Sequence, residues 1–419
     1  MNSSAADPCQ GGLITLDIAL GQILTAIAPL EATEQVTLQR ALGRVLGKDI
    51  SAPFDLPPFT NSAMDGYALS LNGLKPNMAL TVVGKAMAGQ PFPGNIRLGQ
   101  CVRIFTGAPL PPGADAVVMQ EETMGEGDRI LLKRLPVPGE NVRPAGGDVR
   151  RGENVLATGQ RLGAADLGLL ASLGIAMVNV IQLPRLGFFS SGDELRPLGV
   201  PLTPGAIYES NRYSLHGLLD PLPVTATDLG RVPDQLEPIL QCLEPAGQEY
   251  DVILSSGGAS VGEADLLGEA LRRVGKMHLW KVAIKPGKPL LFGQIGKAWF
   301  FGLPGNPVSV HVTFSQIVRP ALWRLAGIPA FKPLRIQARC GQALHKTPGR
   351  LEFQRGRLSQ NETGRLTVVG LEGQGSHQLK TLSRANCYII LPAESSGVKA
   401  GDPVLVEPFD CHFHDARES

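Results

Sequence analysis

The stretch from residue 251 to residue 309 constrains the fold more than any other. An apolar run, Asp251-Val-Ile-Leu-Ser-Ser256, stops at Gly257-Gly258, and a small-residue loop then leads through Ser260 to Asp265. Leu266, Leu267, Ala270, Leu271 and Val274 follow on one helical face. A short apolar run, a glycine break and an amphipathic segment make a strand–loop–helix unit of a parallel α/β sheet, whose ligands sit beyond the carboxyl ends of the strands. Next comes Lys281-Val-Ala-Ile-Lys285-Pro-Gly-Lys288-Pro289, where a Pro-Gly turn fixes how two lysines are presented. In Leu303-Pro-Gly-Asn-Pro-Val-Ser309, Asn306 reads as a helix cap and Pro307 as the first helical residue, which places Ser309 in the first turn. Unpaired amides and the helix dipole favour an anion there. Each of these features alone is ordinary turn or surface chemistry, but together they describe an anion site with room for a metal.

Bulk properties exclude several classes. Lys+Arg of 39 against Asp+Glu of 38 leaves no basic field to recruit nucleic acid. Cys9, Cys101, Cys242, Cys340, Cys387 and Cys411 are scattered, with no Cys-x-x-Cys, so neither a disulfide framework nor a structural zinc site is expected. No apolar run approaches membrane-spanning length and no signal-like segment opens the chain, which predicts a soluble, cytoplasmic protein.

The texture of the chain predicts four domains. Leu16, Leu20, Ile23, Leu24 and Ile27 follow helical spacing behind a Thr15 cap, with a second short helix near Leu38 to Leu46. Residues 53–148, rich in Pro and Gly, read as an inserted β domain. Helical character returns near Ala164 to Leu173, so residues 1–52 and 149–183 make a discontinuous, helix-rich domain. Residues 184–332 repeat strand, loop and helix as an α/β domain, with Ser210 or Asn211 capping a helix at Leu215 to Leu219 and a strand at Val224 to Ala226 followed by the loop Asp228-Leu-Gly-Arg-Val-Pro-Asp234. Residues 333–419 carry short strands and a hairpin turn at Asn361-Glu-Thr-Gly, a C-terminal β domain. The fold class is multidomain α/β plus β.

Acids mark the loops. Glu194, Asp234 and Asp265 each follow a strand of one sheet, and three converging carboxylates call for a divalent cation; all-oxygen ligation suits Mg²⁺. Asp265 has the alternative of a first-turn dipole partner. In the inserted domain, Asn61-Ser-Ala-Met-Asp65-Gly-Tyr67 is a side-chain-bonded loop and Thr106-Gly-Ala-Pro-Leu-Pro-Pro-Gly-Ala-Asp115 a proline-stiffened one. Asp65 with Thr106 is the stronger ligand candidate, and Asp115 has a turn-bracing alternative. Gly139-Glu-Asn-Val-Arg143-Pro-Ala-Gly-Gly-Asp148 places an arginine and a carboxylate around a glycine turn. Arg350, and Ser376 within Gly373-Gln-Gly-Ser-His377, are the candidates of the C-terminal domain.

With those loops in view, the sequence resembles the MoeA family of molybdopterin molybdenumtransferases, the gephyrin and Mo-insertase group. The resemblance rests on Asn61-Ser-Ala-Met-Asp-Gly-Tyr67, Thr106-Gly-Ala-Pro109, Ser191-Gly-Asp-Glu194, Ser255-Ser-Gly-Gly258, Ser260-Val-Gly-Glu-Ala-Asp265, Lys285-Pro-Gly-Lys-Pro289 and Leu303-Pro-Gly-Asn-Pro307. It runs from about Leu13 to Phe409. It implies a MogA-like molybdopterin-binding α/β domain and a homodimer with a shared active site. The implied reaction uses adenylylated molybdopterin, molybdate and Mg²⁺, and gives molybdenum cofactor and AMP. The implied catalytic residues are Asp65, Asp148 and Glu194. Asp65, Thr106, Ser256, Gly257, Gly258 and Asp265 would bind the adenylylated substrate. Lys285, Lys288, Ser309, Arg350 and Ser376 would hold molybdate, and Glu194, Asp234 and Asp265 the metal. Contacts with the molybdopterin adenylyltransferase and with apo-molybdoenzymes are implied too. A non-catalytic gephyrin-like scaffold and a tungstate-using insertase are the competing readings. Two departures lower local charge: the family's Arg-Arg-x-Gly-Glu-Asp loop is here Arg143-Pro-Ala-Gly-Gly-Asp148, and Gln235 follows Asp234 where a second aspartate is frequent.

Overall fold

The computed structural model describes residues 12–125, 128–257, 266–328 and 332–409, with only the backbone of Trp280. The chain forms two compact units: Met1–Glu34, Gly43–Gly47 and Val180–Ser419 in one, Gln35–Leu42 and Lys48–Asn179 in the other.

The first unit is built on a six-stranded sheet among the described residues. Its order is Thr225–Val232, Arg185–Ser191, Val252–Ser256, Ala298–Leu303, Pro289–Ile295 and Gly275–Lys281. The first four strands are parallel. The last two turn back as antiparallel neighbours, which end the parallel run. These strands read as continuous apolar runs because helices cover both faces. Phe188, Leu254 and Phe301 face one core and Phe189, Ile253 and Phe300 the other. Each such buried side chain stabilises the fold by about 1.5–3 kcal/mol relative to exposure. The N-terminal helix Leu16–Ala26 starts at Thr15, whose side chain accepts from the Ile18 amide, and its Leu16, Ala19 and Ile23 join the core beside Leu322 and Leu325.

From Arg185–Ser191 the chain crosses to Thr225–Val232 on one side and then returns to Val252–Ser256 on the other. The strand order therefore reverses between the carboxyl ends of Arg185–Ser191 and Val252–Ser256, the crevice where sheets of this type take ligands.

A second sheet in the same unit closes on itself. Leu351–Gln360, Leu366–Gly370, Ile336–Cys340, Pro403–Pro408 and Cys387–Leu391 pair in turn, and Cys387–Leu391 pairs again with Leu351–Gln360. Closure removes the open edges that a small sheet would otherwise expose. The short strand Ile284–Lys285 adds to Leu351–Gln360 in parallel, with Lys285 opposite Glu352.

The other unit holds a six-stranded sheet in the order Ala116–Met119, Gly66–Leu69, Gln100–Ile104, Ala79–Ala86, Arg129–Leu132 and Thr123–Met124. Its two faces bury separate cores, one on Ala68, Val102 and Val117, the other on Leu69, Cys101 and Val118. Helix Ala164–Ser172 packs near Val149 and Ala52 through Leu173.

Two readings of local structure are corrected. The helix expected near Leu38 to Leu46 is only Leu38–Ala41, because the chain turns at Gly43 with φ +76°. Asp228 to Val232, expected as a loop, continues the strand Thr225–Val232; a register shift beside Phe188 and Phe189 and the positive φ of Gly230 (+86°) absorb the irregularity. The Asp115 side chain does not bond within its own turn: its Oδ1 accepts from the distant Leu71 amide at 2.9 Å. No helix among the described residues is long and apolar enough to cross a membrane.

Candidate active site

Lys285, Lys288, Ser309, Arg350 and Ser376, expected from the sequence to act together, line one cavity of about 320 Å³. Each is placed by a different local device. Val282 and Ile284 are fully buried, so Lys285 emerges from an anchored stretch, and the Val282 amide donates to the Lys288 carbonyl at 3.0 Å, closing the lysine turn. Gly287 has φ +113°, and a Cβ there would meet Thr313 Oγ1 at 2.6 Å, so only glycine fits this turn. Ser309, 4% exposed, lies in the first turn of Pro307–Thr313, as expected. Asn306 is the N-cap residue, but its side chain makes no capping hydrogen bond and lines the cavity instead. The Val308 amide donates to the Ser376 carbonyl at 3.0 Å, tying the helix start to the C-terminal loop.

Sequence reasoning missed three contributors. Arg355 lines the same cavity, 1% exposed, its Nη2 donating to the carbonyls of Gly373 at 2.8 Å and Gly375 at 3.1 Å. Its Nε has no hydrogen-bond partner. Gln374 holds the Arg355 backbone at both N–H and C=O. Glu352 lies 3.3 Å from Lys285 Nζ through Oε1, which also accepts from Gln354 Nε2 at 3.2 Å. The one legible signal was a buried β run, Leu351 to Leu358, carrying Glu, Gln and Arg. Burial of such groups is costly without partners or a ligand. With Lys285, Lys288, Arg350 and Arg355 against Glu352, the described lining is strongly positive.

The acids stand elsewhere along the same sheet edge. Asp234 Oδ1 accepts from Ser191 Oγ at 3.0 Å, and the Asp234 amide donates to Asp193 Oδ1 at 3.3 Å. A Cβ on Gly192 would meet the Glu194 carboxylate oxygens at 2.7 and 2.9 Å, so Glu194 folds back over that glycine. Neither acid lines the lysine cavity. Asp265 and Gly258 lie outside the described residues, and among the described residues no group of three or more His, Cys, Asp or Glu gathers to hold a metal ion. Mg²⁺ takes one or two carboxylates from a protein and completes its shell with water and phosphate oxygens, so Glu194 and Asp234 fit it by donor type.

At the sheet's reversal point, Gly257 has φ +86°, and a Cβ on it would stand 2.1 Å from the Ser191 carbonyl. The hydroxyls of Ser255 and Ser256 are buried there without partners, and so is Asn211 Oδ1. Asn211 Nδ2 donates to the Gly305 carbonyl at 2.8 Å, and a Cβ on Gly305 would lie 3.7 Å from Gly257 Cα. Gly305 thus faces the crevice while its neighbour Asn306 lines the cationic cavity. Glu209, 3% exposed, was not anticipated: it accepts from the Ser190 hydroxyl and from the Asn211 amide at 2.8 Å, fixing the helix start that carries Asn211.

In the other unit, Asp65 Oδ1 accepts from both the amide and the hydroxyl of Thr106, each at 2.8 Å. These two bonds hold the exposed Asp65 carboxyl below its usual range, with Arg103 adding to them. Arg103 lies over the rings of Tyr67 and Phe105 and donates to the Gly66 carbonyl at 2.9 Å. Because the folded-state value is depressed, the tether is present above the ordinary aspartate range and is lost as pH falls through the lower, folded value. Thr106→Val, which removes one of the two donors, is expected to raise the Asp65 value toward normal; a carbon-detected titration that leaves it unmoved would refute the hydroxyl's part. Asp148 is exposed, with its backbone N–H donating to the Leu56 carbonyl at 3.0 Å.

Comparison with known families decides the identity. Three family models cover most of the chain: the MoeA N-terminal region (domain I and II) matches residues 14–174, a probable molybdopterin binding domain 187–324, and the MoeA C-terminal region (domain IV) 337–409. The chain belongs to the MoeA family. It is 43% identical over 400 residues to the molybdopterin molybdenumtransferase of Haemophilus influenzae, covering 95% of this chain and 99% of that one. The molybdopterin molybdenumtransferase of Nostoc sp. is 35% identical, with 89% and 88% covered. The crystal structure of a molybdopterin biosynthesis moeA protein from Pyrococcus horikoshii superposes with a TM-score of 0.82 at 32% identity, over 95% of this chain and all of that one. The expected class of α/β plus β, with a MogA-like domain, holds for this MoeA-family chain.

Proposed function

We propose that this MoeA-family enzyme, a molybdopterin molybdenumtransferase, takes molybdate as donor and adenylylated molybdopterin as acceptor, and releases AMP with the finished cofactor. The observation that supports this reading most is the single cavity shared by Lys285, Lys288, Ser309, Arg350 and Ser376. Molybdate is a tetrahedral dianion, and two ammonium groups, a guanidinium and two hydroxyls match its charge and its acceptor oxygens. The adenylylated substrate would lie in the crevice at Ser256 and Gly257, where unpartnered hydroxyls and closely approaching backbone await polar groups. The Gly305–Asn306 step joins crevice and cavity, so an acceptor bound in one has the donor in the other as its neighbour.

Asp65, Thr106 and Asp148 are assigned to the adenylylated substrate, with Asp65 held in place by two hydrogen bonds from Thr106. Glu194 and Asp234, with Asp265, are assigned to Mg²⁺, which when bound would neutralise charge developing on the leaving phosphate. The four-domain division, a cytoplasmic homodimer and contacts with the adenylyltransferase and apo-molybdoenzymes complete the reading.

Incubating the purified chain with adenylylated molybdopterin, Mg²⁺ and molybdate is expected to release one AMP per molybdenum bound to pterin. AMP release without molybdenum in the product, or neither, would remove the assignment.

A further inference from the structure

We propose that Gln374 is a positioning residue of the cationic cavity: its side-chain amide wedges open the end of a β ladder and so brings Ser376 and Arg355 to the bound anion's site. This inference rests on the assignment of that cavity to an oxyanion.

The wedge is visible in the register of two strands. Leu351–Gln360 and Leu366–Gly370 run antiparallel, with Gln360 opposite Leu366 and Gly356 opposite Gly370. The next pair in that register is Arg355 with Leu371. Half of it forms, the Leu371 amide donating to the Arg355 carbonyl at 3.0 Å. In place of the reciprocal bond, from the Arg355 amide to the Leu371 carbonyl, stands a bridge through Gln374. Its Oε1 accepts from the Arg355 amide at 2.9 Å, and its Nε2 donates to the Leu371 carbonyl at 2.7 Å and to the Arg355 carbonyl at 2.9 Å. A side-chain amide carries the same donor and acceptor as a peptide group, so it takes a ladder partner's place without stranding a backbone group.

The consequence reaches the cavity. With the ladder held open, the chain leaves the sheet at Leu371 and loops through 372–378. Arg355 Nη2 clasps that loop on either side of Gln374, donating to the carbonyls of Gly373 at 2.8 Å and Gly375 at 3.1 Å. The Gly375 amide donates to Gln378 Oε1 at 2.7 Å, and Thr381 Oγ1 donates to the Glu372 carbonyl at 2.9 Å, which ties both ends of the loop. Ser376 then meets the helix start, its carbonyl accepting from the Val308 amide at 3.0 Å. Gln374, Arg355 and Ser376 thereby line one cavity with Lys285 and Ser309. Without the amide at position 374, the Arg355 amide and the Leu371 carbonyl are free to complete their pair. That would draw the loop toward the sheet and Ser376 away from Ser309. The repaired ladder offsets the lost hydrogen bonds, so the loss falls on the cavity rather than on the fold.

The test is steady-state kinetics of Gln374→Ala and Gln374→Met beside the wild type, with molybdate and adenylylated molybdopterin varied in turn. Alanine removes the wedge, and methionine keeps its length without its amide. In both variants KM for molybdate is expected to rise about 10-fold, the scale of one or two lost neutral hydrogen bonds. KM for the adenylylated substrate should stay within about twofold and the melting temperature within about 2 °C. A merely structural role would instead lower the melting temperature and move both KM values together. An unchanged KM for molybdate, an equal rise for both substrates, or failure of both variants to fold overturns the inference. Calorimetric titration of the wild type with molybdate alone separates the two assignments: no binding there overturns the oxyanion assignment itself, and this inference with it.

Discussion

Lys285→Ala is expected to weaken molybdate binding roughly 100-fold, and turnover at limiting molybdate in proportion. Two losses combine. The anion forfeits one charge-assisted contact, and Glu352, whose side chain is 6% exposed, loses its ion-pair partner 3.3 Å away and keeps only the longer-range field of Arg355 to answer its charge. The lower end of the range for breaking such pairs applies, because the Lys285 side chain is 43% exposed and water screens part of the interaction. Adding Glu352→Gln to Lys285→Ala should therefore restore about tenfold of the affinity, a coupling that a double-mutant cycle reads directly. Undiminished binding in Lys285→Ala would dismiss the cavity as the molybdate site. A double variant as weak as the single one would show that the stranded carboxylate contributes nothing.

Gly257→Ala is expected to be the most damaging small substitution at the crevice, costing about 3 kcal/mol of stability. The positive φ of +86° strains any L side chain, and the new Cβ would press to within 2.1 Å of the Ser191 carbonyl. That oxygen belongs to backbone at the end of an interior strand, so nothing flexible can yield. Relief would require Arg185–Ser191 and Val252–Ser256 to part at their carboxyl ends, which opens the place assigned to the adenylylated substrate. Urea unfolding followed by circular dichroism reads the effect as a lower midpoint with unchanged slope. A loss below about 1 kcal/mol would mean that the two strand ends can separate freely, against the tight approach described.

These two residues differ in how visible they were beforehand. Gly257 was legible, because a glycine that ends an apolar run announces a strand end whatever surrounds it. The helix starts at Thr15, Ser210 and Asn306-Pro307 were legible for the same reason: residue types that favour a helix start are read from neighbours along the chain, although of these three only Thr15 makes a side-chain capping hydrogen bond. The lysine turn belongs to this class as well, its geometry set by Pro286 and Gly287. Where local signals misled, a local cause can be named, such as the strand carried through Asp228 to Val232 by the glycine at 230.

The composition of the site was less visible. Arg350 and Ser376 were anticipated through a family likeness, whereas Arg355, Glu352 and Gln374 were not. All five sit on the closed C-terminal sheet or on its loops. They meet Lys285 because Ile284–Lys285 adds to Leu351–Gln360, and because the Val308 amide bonds the Ser376 carbonyl. A strand's periodicity says which residues share a face but not which distant strand will lie alongside, so a buried Arg-Glu-Gln run reads as an anomaly rather than as a site. The sequence by itself determined where strands stop, where helices start and which loops carry charge, since those are fixed by neighbours along the chain. Tertiary structure alone decided that four cations and one carboxylate share a cavity, since that depends on the pairing of Lys285 with Glu352 and of Val308 with Ser376, each far apart along the chain, which no local pattern encodes.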